Sequence, residues 1–178
     1  MLKKLFLFAL TACTLAACNK DEGTGLPYDY VYLKENTNIS EGHLQGSNMH
    51  FYGTSTVTDA TGGVFTYRKA HFELAGLDDF HLYMHKTRFA ADMPGVEMRI
   101  PNVPYTPTGD KSLTFSLDEV IPEAERPNAV GGGATYVPVE RYVITQLAGS
   151  IDNTLCRVEF TCAGVYHVVF EGSLIGEK

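Results

Sequence analysis

Cys156-Arg157-Val158-Glu159-Phe160-Thr161-Cys162, then Ala163-Gly164-Val165, then Tyr166-His167-Val168-Val169-Phe170-Glu171, is the stretch that decides the fold. Its first seven residues alternate apolar and polar with period two, the pattern of a strand with one buried face. A glycine-containing connection follows and a second apolar run returns, as in a β-hairpin. The register can be tested on paper. Setting Val158 opposite Phe170, Phe160 opposite Val168 and Cys162 opposite Tyr166 puts all six on one face. Arg157 then meets Glu171 on the other face. A slip of one residue would turn a whole apolar set outward, so this register is expected.

The same alternation answers the cysteine question. Six residues along a strand separate the α-carbons of Cys156 and Cys162 by about 20 Å, and a disulfide tolerates about 7 Å. Both are read as small buried hydrophobes, with no disulfide. With no histidines clustered around them in sequence, they are also a poor zinc site.

Outward from this hairpin the pattern repeats. Residues 48–58 carry Met49, Phe51, Gly53, Ser55 and Val57 on one face, a loop follows at 59–63, and 64–74 returns. Phe80, Leu82 and Met84 alternate with His81, Tyr83 and His85. Val96, Met98 and Ile100 alternate with Glu97 and Arg99, and Leu113, Phe115 and Leu117 with Thr114 and Ser116. Residues 142–151 are strand-like, and 28–33 offers a first strand. Residues 118–129 are the one candidate for a short helical turn, limited by Pro122 and Pro127. Residues 93–107 carry four prolines and read as edges and loops. Gly131-Gly132-Gly133 reads as a loop. The sum is an all-β protein of about 8–10 antiparallel strands. Closure into a barrel would remove its edges, and a β-sandwich fits the same count.

The first residues address a different question. Lys3-Lys4, an apolar run over 5–12 and small residues before a cysteine make a signal peptide over 1–17. The run is too short to span a bilayer, which needs about 20 apolar residues. Leu15-Ala16-Ala17-Cys18 resembles the bacterial lipobox. That resemblance implies lipid attachment at Cys18 and cleavage between Ala17 and Cys18. Asn19-Lys20-Asp21-Glu22 resembles the export signal of Bacteroidota surface lipoproteins. It implies an outer-membrane lipoprotein on the cell surface, with a periplasm-facing one as the alternative. Residues 18–26 then form a lipidated tether and 27–178 the domain.

A further likeness concerns the domain itself. Val120-Ile121-Pro122, the run from Tyr142 to Ile151, and Tyr166-His167-Val168-Val169-Phe170-Glu171-Gly172 look like the C-terminal half of calycin-like β-barrel lipoproteins. Residues 84–100, with Arg88-Phe89 and Met93-Pro94, are similar to their middle strands. The likeness implies a lipocalin-related barrel and brings no catalytic motif.

Charge excludes some partners. Of 14 basic residues, Lys3 and Lys4 fall in the signal segment, and the remaining 12 face 21 acidic ones, a net charge near −9. Such a domain repels phosphate backbones, so no nucleic-acid partner is expected. Membrane contact would run through the N-terminal lipid. No nucleophile motif is present: there is no G-x-S-x-G, and the triple glycine lacks a following Lys-Ser/Thr. Asp78-Asp79 and Glu119, Glu123 and Glu125 read as solvated loop charges. His81 and His85 share a strand face but lie about 13 Å apart, too far for one ion. His50, His71 and His167 fall in strands and could converge only in the fold. The expectation is therefore no enzyme, no cofactor and no metal. Two functions stay open. Phe51, Phe115 and Phe160 could line an internal site for a small ligand, or simply fill the core. Alternatively the domain is a surface module that meets a protein or a glycan, with Tyr28, Tyr30 and Tyr32 as an aromatic stripe.

Overall fold

A computed structural model describes residues 26, 27, 29–127 and 134–178. The expected signal segment, the Ala17/Cys18 junction, Asn19 to Glu22, Tyr28 and Gly131 to Gly133 lie outside the described residues. In chain order the strands are β1 (Tyr30–Tyr32), β2 (Ile39–Ser40), β3 (His43–Leu44), β4 (Met49–Thr58), β5 (Val64–Gly76), β6 (Phe80–Thr87) and β7 (Val96–Val103). They continue with β8 (Tyr105–Gly109), β9 (Ser112–Val120), β10 (Glu123–Pro127), β11 (Ala134–Pro138), β12 (Ile144–Asp152), β13 (Leu155–Cys162) and β14 (Tyr166–Glu177). Among the described residues one 3-10 turn spans Glu140–Tyr142. No described helix is long and apolar enough to cross a membrane.

The deciding hairpin has the expected register. β13 and β14 pair Val158 with Phe170, Phe160 with Val168 and Cys162 with Tyr166. Arg157 donates to Glu171 Oε1 at 2.8 Å on the outer face. Cys156 and Cys162 are free thiols, both buried. Residues 118–129 depart from the helical expectation, for β9 runs to Val120 and β10 occupies Glu123–Pro127. Residues 93–107 are likewise mostly strand, in β7 and β8. Their prolines act on pairing instead.

The chain is an all-β protein with a curled, antiparallel, calycin-like barrel sheet. Strand order runs β11-β10-β7-β6-β5-β4-β14-β13-β12-β9-β8, and β1 adds to β14. The two ends of this path are covalently joined. β7 passes through Pro104 into β8, and β9 passes through Ile121-Pro122 into β10. These two long bent strands form one hairpin, hydrogen-bonded where Arg99 meets Glu123 and again where Tyr105 meets Phe115, and unpaired between. Taking β7–β8 and β9–β10 as one strand each gives eight positions around the curl. Pro101, Pro104 and Pro122 lie in the unpaired stretch and have no N–H to donate.

The interior is packed with side chains. Phe72 and Phe170 stack with centroids 4.0 Å apart, and Phe80 meets Phe115 edge-on at 5.1 Å. Both mouths are stoppered. At one, the β2–β3 hairpin buries Ile39 and Leu44, tied down by Lys111 Nζ donating to the Ile39 carbonyl and Gly42 N–H donating to that of Asp110. At the other, Phe89 is buried and stacks on Tyr166 at 5.9 Å.

Candidate functional site

Phe51, Phe115 and Phe160 point inward, as the alternation required. They are 0%, 4% and 1% exposed and belong to the packed core. Phe115 lies across Gly149, where a methyl group would come within 2.1 Å of its ring. Its edge also borders a shallow groove with Pro104, Tyr105 and Ala148, beside the unpaired stretch.

Polar chemistry collects on the outer face. A groove of about 460 Å³ runs over the backbones of Gly53 and Gly172. Tyr32 and Tyr52 flank it, and Leu155, Arg157, Asp152, Glu171 and Ser173 are among the other residues that line it. Tyr32 and Leu155 are exposed, whereas Tyr52 is buried. Of the expected tyrosine stripe, Tyr30 lies apart from this groove, with its ring against His50 at 6.3 Å.

A second constellation sits on β4, β5 and β6. Register sets His50 opposite Glu73 and His71 opposite His85, all on the outer face. One ligating atom from each of His50, His71 and His85 lies within 4.8 Å of the others. His50 Nδ1 and His71 Nε2 are 3.1 Å apart. Glu73 Oε2 is 2.9 Å from His85 Nε2 and 3.8 Å from His50 Nδ1. On the far side of the same ring, His85 Nδ1 is 3.0 Å from Glu97 Oε2. The carboxylates are themselves held: Asn48 Nδ2 donates to Glu73 Oε1, and the Lys86 N–H to Glu97 Oε1.

Burial shapes the protonation of this group. It lowers His71 to about 4, with His85 and His50 adding to the effect. It also lowers His50, against the pull of Glu73. Burial acts on His85 too, but hydrogen bonding to Glu73 and the charge of Glu97 outweigh it and raise this imidazole. Desolvation would raise Glu73, yet the His85 hydrogen bond and the neighbouring imidazoles hold it below the ordinary value.

The sequence named His50, His71 and His85, but in the wrong groupings. His81 shares the strand of His85 and instead accepts from the Asn102 N–H through Nδ1 at 3.3 Å. His167 sits by Glu159 on β13. Glu123, read as a loop charge, pairs with Arg99. No family model, curated protein or solved structure matches this chain.

Proposed function

We propose that the chain is a lipid-anchored protein of the cell envelope, held through Cys18 and displayed at the outer surface, whose barrel binds its ligand on the outside. The observation that carries this is the filled and doubly stoppered interior beside an open groove at Tyr32. An internal site would have to displace Phe72, Phe170 and their neighbours. The groove volume of about 460 Å³ falls in the range of small-molecule sites, about 300–1,000 Å³. Its lining offers a tyrosine face, an exposed Leu155 and the polar groups of Arg157, Asp152 and Ser173. That combination suits a ligand with one flat apolar face and several hydroxyl groups, which is the chemistry of a short glycan. Tyr here supplies the stacking surface that Trp would otherwise give. The lipobox resemblance supports the anchor, since two acyl chains hold a protein stably where one does not.

The chain has no Trp to dominate its emission, and Tyr32 is one of ten tyrosines whose summed fluorescence a ligand in the groove would alter. Titration of the full chain in detergent with short oligosaccharides should change that emission saturably, and Tyr32→Ala should abolish the change. A flat titration across a varied oligosaccharide panel would remove the glycan reading. For the anchor, Cys18→Ala should lose radiolabelled palmitate and leave the precursor uncleaved. A variant that matures and fractionates like the parent would remove it.

A further inference from the structure

We propose that His50, His71 and His85, with Glu73, form a binding site for one divalent transition-metal ion, and that Zn2+ is the ion its donors suit best. Three neutral imidazoles and a carboxylate are borderline donors of the kind Zn2+ takes in four-coordinate sites. Geometry supports the assignment. Metal–ligand bonds of 2.0–2.2 Å in a tetrahedron put ligand atoms about 3.3–3.5 Å apart. The observed separations of 3.1 Å for His50 to His71, 3.8 Å for His50 to Glu73 and 2.9 Å for His85 to Glu73 bracket that spacing.

The scaffold is also of the right kind. Each histidine stands on its own strand of one continuous sheet, so the donors are set by backbone pairing and not by a loop. Glu97 completes the arrangement. If His85 binds metal through Nε2, its Nδ1–H donates to Glu97 Oε2, the hydrogen-bonded carboxylate that commonly orients a metal-bound imidazole. Glu97 is then a positioning residue. Glu73 stands within reach as a fourth ligand, which makes this a holding site in place of one with a position kept open for catalysis. The proposal is independent of the groove and of the lipid anchor.

The test is calorimetric titration of Zn2+ into the full chain in detergent, after removal of metal with EDTA. One ion should bind per chain. His71→Gln and His85→Gln should each weaken binding by more than about 100-fold, beyond the 10–100-fold loss expected for Glu97→Gln as an outer hydrogen-bond partner. His81→Gln and His167→Gln should bind like the parent. Circular dichroism checks that each variant keeps its sheet. A measurement on the unaltered chain keeps the proposal exposed even where a variant misfolds. Zn2+ should protect His50, His71 and His85 from diethylpyrocarbonate while His43, His81 and His167 still react. Two results would each overturn the assignment. One is the absence of saturable Zn2+ binding. The other is binding with uniform reactivity of all six histidines.

Discussion

Burial decides the chemistry of Cys156 and Cys162. Desolvation raises both thiols, Cys162 to about 12, so neither becomes a thiolate at ordinary pH. Iodoacetamide at pH 8 should therefore leave both unmodified in the native chain and label both in urea. Labelling of the native chain at the unfolded rate would mean that the β13 face is open. The same shift has a sign for stability. Unfolded thiols lose their protons around the ordinary value of 9.0, while the native ones keep theirs. The native state therefore binds more protons above that pH. The contribution is complete below about pH 9 and is lost as pH rises toward 12. At this scale the sequence was legible, because period two alone separates inward from outward side chains. It could not say which outward side chains on different strands meet. His81 and His85 look like partners along one strand, yet the partner of His85 is His71, across the strand pair.

Registers carried the reading as far as the hairpins were regular. The β13–β14 connection is short and the pairing regular, so paper and structure agree residue for residue. β4–β5 is different. Pairing runs evenly from Thr58 opposite Val64 to Ser55 opposite Tyr67, then shifts by one so that Gly53 meets Ala70 and His50 meets Glu73. Without that bulge His50 would face Phe72, with one of the two on the wrong side of the sheet. Nothing in the loop at 59–63 announces the shift, which is why the histidine constellation was not legible. Gly53 lies at the irregularity for a steric reason: a methyl group there would sit 2.0 Å from the Glu171 carbonyl oxygen and 2.5 Å from the Gly172 α-carbon. Both are backbone atoms of the neighbouring strand and cannot swing away. Gly53→Ala should cost about 1–3 kcal/mol, as overpacking does. It should also weaken Zn2+ binding by displacing His50 relative to Glu73. A urea midpoint equal to the parent's would show that β4 and β14 do not approach so closely.

Closure of the whole molecule rests on its weakest pairing. Seven of the eight junctions around the curl are ladders, each continuous or with one register shift except β6–β7, which shifts twice. The eighth junction is the β7–β8/β9–β10 hairpin, paired at Arg99–Glu123 and at Tyr105–Phe115, with no ladder in the stretch that holds Pro101, Pro104 and Pro122. The prolines misled the sequence reading because they suggested loops. Strand geometry tolerates proline wherever the ladder on that side is not needed, and each bent strand keeps a partner on its other side, β6 for β7 and β12 for β9. Local opening should begin at this seam, since a strand held on one side has fewer hydrogen bonds to break than one held on both. β13, flanked by β12 and β14 throughout, is the contrast. In native-state hydrogen exchange, peptides spanning 100–106 and 116–122 should exchange before those spanning 156–162 and 166–175. Exchange of both sets at one rate would mean that the barrel opens only as a unit, and that the seam carries no local freedom. The order also bears on the two outer sites. The tyrosine groove spans β1, β4, β12, β13 and β14, and the histidine constellation β4, β5 and β6 with Glu97 on β7, and neither draws a residue from the stretches 100–106 and 116–122. Ligand or Zn2+ bound there should slow exchange in those strands and leave the seam peptides opening first.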